Sequence, residues 1–272
     1  MNETTGLTTS DVSGRSNHGA AIGTAILDGR FGKARQFNGT SDVINTTYNG
    51  NFSTNPFTVE FWVYLNSLTS SNGHQNIICN RFPQNPNTWW MGVFDGGSIN
   101  VDGGSGQNVS NPGDIVTGRW YHIAVSRNAS DVLTIYKNGV VVKTGTQSGN
   151  LSGGTNLAIG AIYNGAEYVN GLIDEVRISS VARSPVEFDV PLPPKNFTAI
   201  VSASAANLSW QNGGGVAPIM RYRIYRGLDS SNIALLDSTT TTGYSNPGLA
   251  LGTYFYRLSA KEKNRTPQSP PS

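Results

Sequence analysis

Gly171-Leu-Ile-Asp-Glu-Val-Arg-Ile178 reads as a strand with two acids set inside it. Successive side chains of a strand point to opposite faces. By strict alternation Ile173, Glu175 and Arg177 share one side, and Leu172, Asp174, Val176 and Ile178 share the other. Asp174 and Glu175 therefore cannot act from one face, and Asp174 falls on the mostly apolar side. A carboxylate placed there needs a cation or several hydrogen-bond donors.

The same short, alternating pattern recurs upstream. Phe57–Leu65 (FTVEFWVYL), 76–81, Trp89–Phe94, 98–101, 120–126 and 132–137 each read as strands bounded by Gly, Asn, Asp or Pro. Asn138-Gly139 joins the last of these to 140–143 as a two-residue turn, since both central positions of a type I′ turn need positive φ. Segments 156–161 and 171–178 close the set. Helical periodicity is almost absent. So many short strands in succession predict an all-β, two-sheet sandwich over residues 1–188. Four prolines crowd 182–195, and 189–194 reads as a Pro-rich linker. A second set of strands follows at 196–201, 206–210, 220–225 and 253–260, so residues 195–272 form a smaller sandwich. Its tail, KEKNRTPQSPPS, offers one edge strand at most.

Composition excludes several function classes. Charged residues make up 13% of the 272, against a typical ~25%, and the net charge is +2 with no basic stripe. Nucleic acid is not an expected partner. No apolar run approaches 18 residues, so no membrane insertion is expected. The N-terminal MNETTGLTTSDVSG lacks a basic region followed by an apolar core and does not read as a signal peptide. Either the chain stays in the cell that makes it or it leaves by another route, such as lysis with a virus particle. Cys79 is the single cysteine and is expected to be a buried, inert thiol.

Seven pieces in order resemble the bacterial and viral laminin-G-like, concanavalin-A-like jelly rolls. They are Asp11-Val-Ser-Gly14 with Asn17, Gly29-Arg-Phe-Gly-Lys-Ala34, Phe37-Asn-Gly39, Phe57-Thr-Val-Glu-Phe-Trp62, Trp120-Tyr-His-Ile-Ala124, Ile135-Tyr-Lys-Asn-Gly139 and Gly171–Ile178. The second domain is similar to a fibronectin type III module. Pro193-Pro194 opens it, Leu208-Ser-Trp210 supplies a core tryptophan, and Leu249–Tyr254 looks like a tyrosine corner. The resemblance implies a jelly roll followed by an immunoglobulin-like sandwich that spaces or docks.

It also implies a structural Ca²⁺ site in some members, with Asp11 and Asp174 at the matching positions. The alternative is that Asp174 accepts neighbouring loop amides. Glycosidases of this architecture carry alternating acids on one strand, and Glu60 stands alone in its strand. A pairing of Glu60 with Glu175 is the remaining hydrolytic alternative, and the chain reads as non-enzymatic. For a glycan site, sugar-stacking rings with polar groups beside them are wanted. Trp89 and Trp90 are adjacent and must face opposite sides, one into the core and the other exposed or partly so. Tyr163 and Tyr168 lie in the following loop, and Arg81 and Asn87 are the polar candidates. Packing and loop roles are the competing account of all six.

These readings combine into a non-catalytic surface or adhesion protein. A virion component is expected first: a capsid decoration, fibre or tail protein displaying a glycan-binding type of jelly roll. The alternative is a carbohydrate-binding module from a secreted bacterial polysaccharide-active or adhesion protein. Partners would be a cell-surface glycan or other virion or surface proteins, with homo-oligomers compatible. The place would be the virion surface or the cell exterior.

Overall fold

The computed structural model describes residues 3–81, 87–104, 106–162, 165–188, 194–213 and 219–262. The chain divides into two compact units between Arg183 and Ser184.

In the first unit β1 (Thr8–Thr9), β2 (Gly19–Ile22), β3 (Ala25–Asp28), β4 (Lys33–Asn38) and β5 (Val43–Thr46) precede the long β6 (Phe57–Leu65). Two hairpins follow, β7 (His74–Cys79) with β8 (Trp89–Phe94), and β9 (Ile99–Gly103) with β10 (Gly106–Val109). The rest are β11 (Trp120–Arg127), β12 (Val132–Lys137), β13 (Val140–Thr146), β14 (Ala158–Ile159) and β15 (Asn170–Ser179). They build an eight-stranded sheet, β1-β2-β5-β14-β7-β8-β9-β10, and a seven-stranded sheet, β13-β12-β11-β6-β15-β4-β3. Every pairing is antiparallel. This is the expected all-β sandwich. β1 to β5 and β10 did not register as strands in the sequence.

Alternation places the core. Phe57, Val59, Phe61, Val63 and Leu65 of β6 face Trp89, Met91 and Val93 of β8 in one apolar cluster. Asn138 and Gly139 have φ of 51° and 78°, as the turn chemistry required. In β15, however, strict alternation fails. Glu175 sits at φ 49° and the register against β6 slips between Asp174 and Arg177. This bulge resets the phase. Ile173, Val176 and Ile178 pack on the core, while Asp174 pairs with Trp62, and Arg177 with Glu60, on the outer face. The expectation that Asp174 shares a side with Val176 and Ile178 is corrected by that single extra residue.

In the second unit, β16 (Lys195–Ser202), β17 (Ala205–Gln211) and β20 (Gly243–Asn246) form one three-stranded sheet. β18 (Ile219–Asp229), β19 (Asn232–Thr239) and β21 (Phe255–Glu262) form the other. Ala206, Leu208, Trp210, Tyr222 and Ile224 are its buried core, with Trp210 edge-on to Tyr222 at 5.4 Å. Tyr254 Oη donates to Ala250 O at 3.4 Å. The first two residues of the tail, Lys261 and Glu262, end β21, and the rest of the tail lies outside the described residues.

Candidate binding face

The outer side of the eight-stranded sheet is built from alternate residues of its central strands. One cross-strand row runs Asn45, Ala158, Cys79, Trp90, Asp102. The next runs Asn76, Gly92, Asn100, and a third pairs His74 with Phe94. Small residues therefore floor one side of Trp90, and a glycine separates two asparagines beside it. A Cβ at Gly92 would collide with the Gln75 carbonyl oxygen and lie 3.0 Å from the Trp90 ring. The glycine lets the indole lie close against the sheet.

Trp90 is the hub of this face. His74 stacks against it at 4.8 Å and 33°, and Phe94 meets it edge-on at 6.1 Å. Its Nε1–H donates to Asp102 Oδ2 at 3.2 Å. The Arg81 guanidinium lies 5.8 Å from the ring centroid, within cation–π range. Arg81 also donates from Nη1 to both carboxylate oxygens of Glu167, at 3.0 and 3.1 Å. Glu167 Oε2 is 2.9 Å from His74 Nε2 and accepts from Asn76 Nδ2 at 3.3 Å. Glu167 itself is held at φ 57°, with its carbonyl accepting from the Asn76 amide at 2.8 Å. A non-glycine residue in that region is strained, and such strain gathers at functional sites. Asn100 is fully buried, yet neither amide atom has a protein partner, and Asn76 Oδ1 is also unmatched. Buried polar atoms of this kind are met by ordered water or by a ligand.

The candidate residues separate in the structure. Arg81, Trp90 and Tyr168 come together, Tyr168 packing on the same cluster as Trp90. Asn87 stands half-buried in the turn before β8. Trp89 belongs to the core, stacked on Phe52 at 5.0 Å with its Nε1–H donating to Gly50 O at 2.8 Å. Tyr163 lies outside the described residues. One of Trp89 and Trp90 was expected to be exposed or partly so; Trp89 is core and Trp90 is only 6% exposed, with Arg81, His74, Phe94 and Tyr168 packed around the indole. His74, Asp102 and Glu167 were missed. Their meeting depends on the register of three strands and on a segment some 90 residues further along, which local spacing cannot reveal.

Asp11 and Asp174 are both occupied by backbone amides. Asp11 accepts from Ser13 and Asn17 at 2.8 and 2.9 Å. Asp174 is fully buried and accepts from Phe31 at 3.0 Å and Glu175 at 2.8 Å. Among the described residues no group of three or more His, Cys, Asp or Glu converges on either. The geometry is that of amide acceptors.

Burial pushes the Asp174 carboxyl up to about 6, opposed by the Phe31 amide and reinforced by the nearby Glu175 charge. An unfolded aspartate titrates near ~3.9, so the native state binds the extra proton between those values. The group's stabilising contribution is full below the unfolded value and lost as pH rises through about 6. Lowering the pH from ~7 to ~4.5 is expected to favour the wild type by about 2 kcal/mol relative to Asp174→Asn. The check is the thermal midpoint of the first unit against pH for both proteins. Parallel curves would refute it.

A family model described as the concanavalin A-like lectin/glucanases superfamily matches residues 38–187. No curated protein matches the chain. Among solved structures, the chain is similar to the botulinum neurotoxin serotype D binding domain, with 16% identity and a TM-score of 0.53, over 86% of this chain and 60% of that one. It is similar to the binding domain of Paraclostridial mosquitocidal protein 1, with 15% identity and a TM-score of 0.52, over 83% and 64%. Trypanosoma rangeli sialidase, solved in complex with sialic acid, gives 13% and 0.52, over 68% and 30%. At such identities the likeness is one of fold, and the chain spans less than two thirds of each of the three.

Proposed function

The chain belongs to the concanavalin A-like lectin/glucanases superfamily, and from that premise we propose that its first unit is a non-catalytic glycan-binding module. The observation that carries this reading is the outer face of the eight-stranded sheet. There an aromatic hub, an Arg–Glu–His cluster and two buried asparagines with unmatched amide atoms share one surface. A ligand site needs that mixture of apolar wall and few, well-placed polar groups. The unmatched Asn76 Oδ1 can accept from ordered water, and the buried Asn100 amide can accept from and donate to it, linking both to a ligand. Arg81, 35% exposed at its side chain, is the charged group nearest the solvent.

Catalysis is disfavoured by where the acids stand. Glu60 is clamped by Arg177 and His122, and Glu167 is ringed by Arg81, His74 and Asn76. We take the second unit as a fibronectin type III spacer, on its two three-stranded sheets, core Trp210 and Tyr254–Ala250 tie. Display on a virion or a cell surface follows as the setting for such a pair. A particle reconstruction lacking density for this protein would count against the virion.

The binding test is a broad panel of bacterial surface glycans, offered to the wild type and to Arg81→Ala, with calcium and with chelator. We expect the wild type to bind, with affinity falling about tenfold in the variant, and with chelator having no effect. Absence of binding by the wild type in either condition would overturn the reading. Loss of binding in chelator would instead restore a working metal at Asp11 or Asp174.

A further inference from the structure

The outer face of the other sheet holds a different kind of surface. In β6 and β11 the residues facing away from the core include Tyr64 and Trp120, which are paired in register. Tyr64 is also paired with Leu172 of β15, and Leu172 with Gln36 of β4. The result is a straight row across four strands, Trp120–Tyr64–Leu172–Gln36, in which every side chain is half-buried. The two rings lie 5.7 Å apart and are tilted by 57°. Beside Tyr64 and Leu172 stand Asn66 and Asn170, joined by an amide–amide hydrogen bond of 3.2 Å. Asn66 Nδ2 donates and Asn170 Oδ1 accepts, so the Asn66 Oδ1 and both Asn170 amide protons take no part in that bond.

Half-exposed Tyr and Trp side by side are an unusual place to leave apolar ring area. Both rings are partly exposed, and the surrounding amides each offer both a donor and an acceptor. None of these six side chains carries a charge. Charged side chains stand further along the same face, with Arg30 over Trp62 and Arg177 against Glu60, and on the opposite sheet at Arg81, Glu167, His74 and Asp102. We propose that this row is a second ligand site, a stacking platform for a neutral polysaccharide chain. Pyranose or furanose C–H faces lie on Trp120 and Tyr64, and ring hydroxyls bond to Gln36, Asn66 and Asn170. These six side chains offer no ion partner to compensate a charged glycan for the loss of its hydration. The tilt between the rings suits a chain whose successive sugars are rotated against one another.

The platform stands apart from the charged face, and the two can be read separately in one experiment. The chain has five tryptophans, at positions 62, 89, 90, 120 and 210, so five indole N–H signals report on the whole protein. The full chain is titrated with soluble fragments of β-glucan, xylan, mannan and arabinan while the assigned indole signals are followed by NMR. The expected result is a saturable shift of the Trp120 signal with at least one of the four probes. In the Tyr64→Ala variant, affinity for that probe falls about tenfold, with the thermal midpoint and the other four indole signals retained. A shift at Trp90 alone would overturn the platform and leave the charged-face reading standing. No shift at Trp120 with any of the four probes would overturn the platform outright. An unaltered affinity in Tyr64→Ala would do the same.

Discussion

Arg127→Met is expected to destabilise the first unit by about 3–5 kcal/mol, at the upper end of what single substitutions do. Arg127 is fully buried at the end of β11. Its guanidinium donates to Asn55 O from Nε and Nη2 at 3.3 and 2.6 Å, and to Ser53 O at 2.8 Å. It also donates to Gln147 O at 3.4 Å and Gly149 O at 3.1 Å, while lying 5.1 Å from the Phe57 ring centroid. One side chain thus closes two loops onto the sandwich by satisfying four carbonyls. Methionine keeps much of the volume and removes every donor. Each carbonyl left buried costs about 1–3 kcal/mol, but loops can open to water, so the sum falls well below four full penalties. Lysine offers three donors around one point and cannot span both loops, so Arg127→Lys should recover less than half of the loss. Urea unfolding followed by tryptophan fluorescence measures this. A loss under ~1 kcal/mol in Arg127→Met would show that the loops hold without the clamp.

Arg127 also marks the limit of what the sequence discloses. The sandwich was legible because β6, β8 and β11 alternate cleanly and Asn138-Gly139 permits one turn only. Those signals are local. The partners of Arg127 lie 72 residues upstream and about 20 downstream, and nothing near Arg127 in the chain announces them. Arg35 repeats the pattern. It is 1% exposed and its guanidinium donates to the carbonyls of Gly6 and Thr8. Neither was singled out in the sequence. Trp90 could be named from sequence, as could Arg81 and Tyr168. Glu167 and Asp102 could not, because their place beside Trp90 is set by strand register. Asp174 was assigned to the wrong side by one bulged residue, since alternation propagates any local error down the rest of the strand.

Glu60→Leu should cost a comparable 3–5 kcal/mol, for a different reason. Glu60 is 2% exposed on the outer face of the seven-stranded sheet. Its Oε1 accepts from Arg177 Nε at 2.6 Å and its Oε2 is 3.1 Å from His122 Nε2. His122 is 1% exposed and edge-on to Trp62 at 5.4 Å. Removing the carboxylate leaves the imidazole without its acid in a place water does not reach, and strands one end of the Arg177 guanidinium. Arg177 is 38% exposed at its side chain, so it rehydrates and the loss leans toward the lower figure. The triple variant Glu60→Leu, His122→Leu, Arg177→Met tests this account, because replacing a whole buried ion cluster with apolar groups of similar size is often neutral. Recovery of most of the stability in the triple variant is the expected outcome. A triple variant as weak as the single one would mean the carboxylate does something else. A hydrolytic acid would announce itself the opposite way: Glu60→Gln would keep its stability and abolish turnover of a glycan. The clamp by Arg177 and His122 argues for the structural outcome, since a general acid must be free to give up and regain its proton.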